Sequence, residues 1–228
     1  MKVRTKVLTA VMAVALVGAA VQVQAQYNLT VDPSATWLGY INVFDQADVF
    51  QFGFGEATPS TASANFAAGP ALPLTMSPNT RLYDENAGDA FWVDQITFEA
   101  TLVTEFNYYN EYFDTHAGAD GALVTFDFAT VANNLPAGYE AFGFIKVLDA
   151  FDSWETFQIE TGDLSALGSQ QLSLTVDAAL DPTPGTLDLD IQVGFYVKGA
   201  YVSSSNPIAS TGVQIIPEPA TIGLMGIA

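Results

Sequence analysis

The stretch from residue 187 to residue 197 reads LDLDIQVGFYV, and its pattern decides the fold class. Every second residue is apolar: Leu187, Leu189, Ile191, Val193, Phe195 and Val197. Successive side chains of a β-strand point to opposite faces, so this alternation predicts a strand with one buried face and one solvated face. The intervening acids, such as Asp188 and Asp190, are expected on the solvated face.

Four further segments alternate in the same way, and Val, Thr, Phe and Tyr dominate the alternating segments taken together. The four are residues 50–54, 96–102, 124–128 and 172–176. Proline- and glycine-containing turns separate such segments, at 135–138, 181–185 and 205–207. Many short strands punctuated by turns predict a single all-β domain over residues 26–216, built as an antiparallel β-sandwich or jelly roll.

Composition limits the chemistry that this chain can perform. The 228 residues are 50% hydrophobic and 12% aromatic, which is enough to fill a sizeable core. There are 25 acidic and 6 basic residues, a net charge of −19, so sequence-independent binding to nucleic acid is excluded. No cysteine is present, which excludes disulfides, thiol nucleophiles and Cys-ligated metals. The one histidine, His116, leaves little material for a Ser–His–Asp triad or a multi-histidine metal site.

Residues 1–25 have the plan of a secretory signal peptide, which is expected to be helical. Three basic residues open the chain: Lys2, Arg4 and Lys6. An apolar stretch follows over 7–21, and Val23 and Ala25 suit a cleavage between Ala25 and Gln26. The apolar stretch is shorter than the roughly 20 residues of a stable membrane span, although an uncleaved N-terminal anchor is the alternative. Cleavage would leave three basic residues against 25 acids, a net charge of −22.

The C-terminal residues 217–228 suggest a second targeting signal. The extended motif is Pro217, Glu218, Pro219, Ala220 and Thr221, and an apolar run follows it. It resembles the PEP-CTERM sorting signal of Gram-negative bacteria. In that family a transmembrane helix and a basic cluster follow the motif, and a membrane transpeptidase, exosortase, cuts near it. The cargo is exported and is often associated with exopolysaccharide or biofilm matrix.

The chain departs from this family pattern after the motif. The apolar run over 220–228 is too short to cross a bilayer core, and no Lys or Arg follows it. This favours a sequence truncated inside the sorting helix over a degenerate signal. A second resemblance, carried by residues 32–44 and 50–53, is to a segment that recurs in exported PEP-CTERM proteins of unassigned function. It implies a β-sandwich and no catalytic residues.

Aromatic and acidic residues are the remaining candidates for a site. Tyr108, Tyr109 and Tyr112 could form a platform on which sugar rings stack, although aromatic residues more often serve the core. Asp114 and Asp120 flank a turn that could hold a structural Ca²⁺, and a solvated acidic turn is the alternative. A glycosidase needs only two carboxylates, which so acidic a chain always offers.

These observations favour an exported, non-enzymatic protein of the bacterial surface or extracellular matrix. The resemblance implies an exosortase-type transpeptidase as its processing partner and exopolysaccharide as a possible ligand. It also implies export through the inner membrane, transient membrane anchoring, and release to the surface or matrix. The alternatives are a carbohydrate-binding module, a polysaccharide-degrading enzyme and a calcium-dependent adhesion module. No cofactor is expected apart from the possible structural Ca²⁺.

Overall fold

The computed structural model describes residues 25–56, 64–66, 73–114, 120–149, 155–180 and 189–218. Within these residues, twelve strands form two six-stranded sheets. Sheet I contains β1 (Gln26–Thr30), β4 (Ala64–Phe66), β5 (Leu74–Met76), β7 (Leu123–Asn133), β10 (Gly168–Thr175) and β12 (Val213–Pro217). Sheet II contains β2 (Leu38–Phe44), β3 (Phe50–Glu56), β6 (Val103–Asp114), β8 (Glu140–Asp149), β9 (Glu155–Asp163) and β11 (Leu189–Ala200).

The predicted all-β sandwich is confirmed. Sheet II runs in the order β3-β2-β6-β11-β8-β9, and all its neighbours are antiparallel. Helical structure in the described residues is confined to α1 (Arg81–Asn86) and two short 3₁₀ turns, Ala178–Leu180 and Pro207–Ser210. The helix expected in the signal peptide falls on residues outside the described part of the chain.

Strand β7 organises sheet I because it pairs along both of its edges. One edge is occupied by β10. The other edge is shared by two strands: β1 pairs in parallel up to Thr30 opposite Asp127, and β12 pairs antiparallel down to Pro217 opposite Phe128. The ends of β1 and β12 therefore meet at adjacent positions on β7.

The core lies between the sheets and is rich in phenylalanine. Phe195 of β11 projects from sheet II against Phe126 and Phe128 of β7, with ring centroids 5.3 and 5.1 Å away. Trp37 lies nearly parallel to Phe195 at 6.3 Å. All three phenylalanines are fully buried. From Leu189 to Val197, the described part of the quoted alternation, the apolar set therefore faces sheet I.

The strand predicted over 96–102 is wrong. Residues 95–97 form a turn, and the only ladder contact in this segment is one bridge between Val93 and Ala100. The carboxylate of Asp94 accepts hydrogen bonds from the backbone N–H groups of Ile96 (2.7 Å) and Thr97 (2.8 Å). An Asp side chain that captures these donors stabilises a turn in place of a strand. As a result Ile96 is 88% exposed.

Replacing Phe195 with Ala should lower the free energy of unfolding by about 3–5 kcal/mol, because a cavity replaces a buried ring. Urea denaturation of the purified protein would measure this loss. The control is Ile159→Ala on β9, where the side chain is 51% exposed and the expected change is within about 0.5 kcal/mol. Equal effects of the two substitutions would contradict the assigned core.

The turn that replaces the predicted strand contains Phe98 at a φ of 59°, which is unfavourable for a residue with a Cβ. Phe98→Gly should therefore be more stable than Phe98→Ala by about 1 kcal/mol. Because both substitutions remove the ring, their difference in urea midpoint isolates the backbone effect. A greater stability of the alanine variant would be inconsistent with this turn.

Candidate functional site

The structure separates Tyr108 from Tyr109 in the predicted sugar platform. Tyr108 points into the core, is 7% exposed, and stacks on Trp37 at 5.1 Å. Tyr109 is on the opposite face of β6 and is partly exposed. The backbone of Tyr112 pairs with Ile191 of β11, and its side chain is outside the described part of the structure. Tyr109 is thus the platform residue that the structure places on the outside of the sandwich.

The predicted calcium ligands lie at the two ends of a segment that the structure does not describe. Asp114 ends β6 with its backbone opposite Leu189, and its side chain falls outside the described set. Asp120 is exposed in a turn, and His116 is not among the described residues. Among the residues that are described, no cluster of three or more His, Cys, Asp or Glu side chains could hold a metal. Calcium binding stays a prediction.

The sequence motifs at the two ends of the domain lie at the limits of the described structure. The carbonyl oxygen of Ala25 accepts a hydrogen bond from the backbone N–H of Leu123 at 3.0 Å, and β1 begins at Gln26. Pro217 is the last residue of β12, and Glu218 follows it outside the strand. Pro219, Ala220 and Thr221 fall outside the described residues. In the described segments no helix is both long and apolar enough to span a membrane.

The outer face of sheet II, the side turned away from sheet I, carries an unexpected mixture of aromatic and polar side chains. Register and strand alternation place nine of them together: Tyr40, Asn42, Glu105, Asn107, Tyr109, Phe142, Phe144, Lys146 and Tyr196. A row of directly paired residues crosses four strands of this face. It runs from Tyr40 through Asn107 and Tyr196 to Phe142. Solvated faces of sandwiches are ordinarily polar, so this row marks the face as a candidate site.

Hydrogen bonds between strands fix the polar part of this face. Glu105 Oε1 accepts from Asn42 Nδ2 and from Asn107 Nδ2, each at 3.0 Å. The Lys146 ammonium donates to Asn107 Oδ1 at 2.8 Å and lies 4.4 Å from the Phe144 ring centroid. These contacts join β2, β6 and β8. They hold the Glu105 carboxylate in one orientation, with Oε1 occupied by two donors.

The rings of this face are also held in place. The Tyr196 ring lies 5.2 Å from that of Phe142 and 6.3 Å from that of Phe144, and each pair is inclined by about 30°. The Tyr40 ring lies across Gly53 of β3, where an added Cβ would be 2.7 Å from both the ring and its hydroxyl. Gly53 therefore provides the space that this position of Tyr40 requires.

Exposure varies across the outer face. Tyr40 is 37% exposed, and Tyr196 and Phe142 are partly exposed. Phe144 and Asp190, further along β8 and β11, are fully buried. The expectation that Asp190 lies on a solvated surface is therefore wrong, and its carboxylate accepts a hydrogen bond from Gln192 at 3.1 Å. The accessible part of the face is the end that carries Tyr40 and Tyr196.

Charge and burial act together at this end of the face. Burial raises the pKa of the Tyr196 hydroxyl, and the nearby Glu105 and Glu140 carboxylates raise it further. Desolvation lowers the pKa of Lys146, while the charge of Glu105 opposes this shift. Lys198, which pairs in register with both Glu105 and Glu140, instead forms an ion pair with Asp48 at 2.6 Å. The exposed end of the face is therefore acidic.

No protein-family model, no characterised protein and no solved structure matches this chain.

The raised tyrosine pKa predicts how stability depends on pH. Burial raises the pKa of Tyr108, Tyr139, Tyr196 and Tyr201 above the ordinary value of 10.0. A raised folded-state pKa contributes stability that is present below pH 10 and is lost as the pH rises through the folded-state value. We expect the free energy of unfolding to fall above about pH 10. In an absorbance titration, these four tyrosines should ionise at a higher pH than an exposed tyrosine does.

Single substitutions identify which absorbance step in the titration belongs to Tyr196. Tyr196→Phe should remove one delayed step from an absorbance titration, and Glu105→Gln should move that step towards lower pH. Glu218→Gln, at the opposite sheet, is the control and should leave the titration unchanged. If all nine tyrosines of the chain ionised near pH 10, the burial of these hydroxyls would be contradicted.

Proposed function

We propose that this chain is an exported, non-enzymatic protein of the surface or extracellular matrix of a Gram-negative bacterium. In this proposal the N-terminal segment directs export, and an exosortase-type membrane transpeptidase processes the PEP-CTERM-like segment. The protein is held transiently at the membrane before it reaches the surface or matrix. The non-enzymatic role rests on the resemblance, which implies no catalytic residues, and on a composition with no cysteine and a single histidine.

The observation that carries this proposal is the position of β1 and β12 on β7. Strand β1 begins at Gln26, directly after the expected cleavage position. Strand β12 ends at Pro217 opposite Phe128, and the next position on β7, Asp127, is already paired with Thr30. The chain therefore has to leave the sheet at Glu218. A processing enzyme that needs an extended peptide would meet the motif at the point where it separates from the folded domain.

The surface charge agrees with a role outside the cell envelope. After cleavage the chain would carry 25 acidic and three basic residues. Two of those three basic residues are engaged on the outer face of sheet II, Lys146 with Asn107 and Lys198 with Asp48. Such a protein remains soluble at high concentration and is repelled by anionic polymers.

Mass spectrometry of the protein in the bacterium that makes it tests the proposal. We expect the mature protein in the surface or extracellular fraction, with Gln26 as its first residue and a new C-terminus near Pro217–Pro219. Replacing both Glu218 and Pro219 with Ala should retain the precursor in the membrane fraction, because the motif is lost. The control is Gln214→Ala within β12, which should leave processing intact. An intact Met1 in the cytoplasmic fraction would refute the export proposal.

A further inference from the structure

The accessible end of the outer face of sheet II has the features of a ligand site. It combines partly exposed rings, Tyr40 and Tyr196, with a carboxylate whose orientation is fixed by two amide donors. Within the part of the chain that the structure describes, both of these donors bind Oε1, and no group donates to the second oxygen, Glu105 Oε2. A site built in this way offers apolar ring faces beside an oriented acceptor for a hydroxyl group.

We propose that this face binds a neutral oligosaccharide, with Tyr40 and Tyr196 as stacking rings and Glu105 as a hydroxyl acceptor. Sugar rings expose flat C–H faces that pack on aromatic rings, and their hydroxyl groups donate and accept hydrogen bonds at the edges. Asn42 and Asn107 are positioning residues, since their amides hold the Glu105 carboxylate. This inference adds a class of ligand to the proposed function. The biological setting of the binding rests on that proposed function.

The spacing of the two tyrosine rings favours binding of linked sugars over binding of a single sugar. Tyr40 and Tyr196 are separated by one intervening strand, because each pairs in register with Asn107 of β6. Two strand spacings correspond to about 10 Å. This distance exceeds one pyranose ring, so that simultaneous stacking on both tyrosines requires at least two linked sugars. Phe142 extends the row beyond Tyr196.

The charge of the face selects a neutral ligand. Glu105 and Glu140 lie close enough to Tyr196 to raise the pKa of its hydroxyl. Both described cations of this face are already engaged: Lys146 donates to Asn107 and lies against the Phe144 ring, and Lys198 is paired with Asp48. A uronic acid polymer or a nucleic acid would meet repulsion here without a compensating exposed cation.

Binding of the purified protein to immobilised hexasaccharides tests the inference. The neutral probes are hexasaccharides of glucan, mannan and galactan, and the acidic probe is a polygalacturonate hexasaccharide. We expect binding to at least one neutral probe, stronger for the hexasaccharide than for the corresponding monosaccharide. Tyr196→Ala and Tyr40→Ala should each weaken this binding by at least about tenfold, equivalent to about 1.4 kcal/mol.

Gly53→Ala provides a variant that keeps both tyrosines. The added Cβ would displace the Tyr40 ring and the Asn42 side-chain oxygen, which are both ends of flexible side chains, so that the fold is retained while these groups of the site move. We expect weaker binding with an unchanged melting temperature. The matched control is Phe91→Ala, which removes a ring that is 52% exposed outside sheet II and should leave binding unaltered.

Several results would overturn the inference. They are the absence of binding to every neutral probe, a preference for polygalacturonate, and equal affinities of the wild type and the two tyrosine variants. Self-association that Tyr40→Ala abolishes, without binding to any glycan, would show that the rings instead cover a second copy of the chain. Because these measurements use purified protein, failure of binding is distinguishable from failure of export and sorting.

Discussion

The contact between Phe195 and the two phenylalanines of β7 is the interaction on which the rest of the sandwich depends. It joins a central strand of sheet II to the central strand of sheet I, and all three rings are fully buried. Because side chains of a strand alternate, the inward position of Phe195 determines that Tyr196 and Gly194 face outward. Because β6 and β8 pair in register with β11, the inward or outward direction of their side chains is determined as well. The composition of the outer face is thus a consequence of core packing.

How much of this could be predicted from the sequence depends on which residues set each feature. The alternation predicts the strand and its buried face correctly over the described residues 189–197, since it reflects only local geometry. The segment 96–102 has the same alternation and is not a strand, because the Asp94 side chain competes for backbone donors. Periodicity alone does not distinguish these two cases, while an Asp two residues before the run indicates a turn.

The aromatic site shows a different limit of sequence reasoning. Tyr108 and Tyr109 are adjacent in sequence, and for that reason they face opposite sides of β6. The row from Tyr40 to Phe142 depends instead on the pairing of four strands distant in sequence. No local pattern specifies that register. The one local signal was Lys146, a basic residue among Phe144, Ile145, Val147 and Leu148, whose alternation places it beside Phe144 and not in the core.

The order of the strands in sheet I determines when the sandwich can close during synthesis or export. Strand β1, first among the described strands, pairs with β7, and Thr30 is 97 residues from the Asp127 carbonyl that it contacts. Strand β12, last among the described strands, lies between β7 and β5. Sheet I therefore remains incomplete until Pro217 is present, so long-range pairing delays its closure. If export occurs as proposed, the chain crosses the inner membrane before β12 has paired with β7. The domain then closes only when β12 has crossed, directly before the sorting motif.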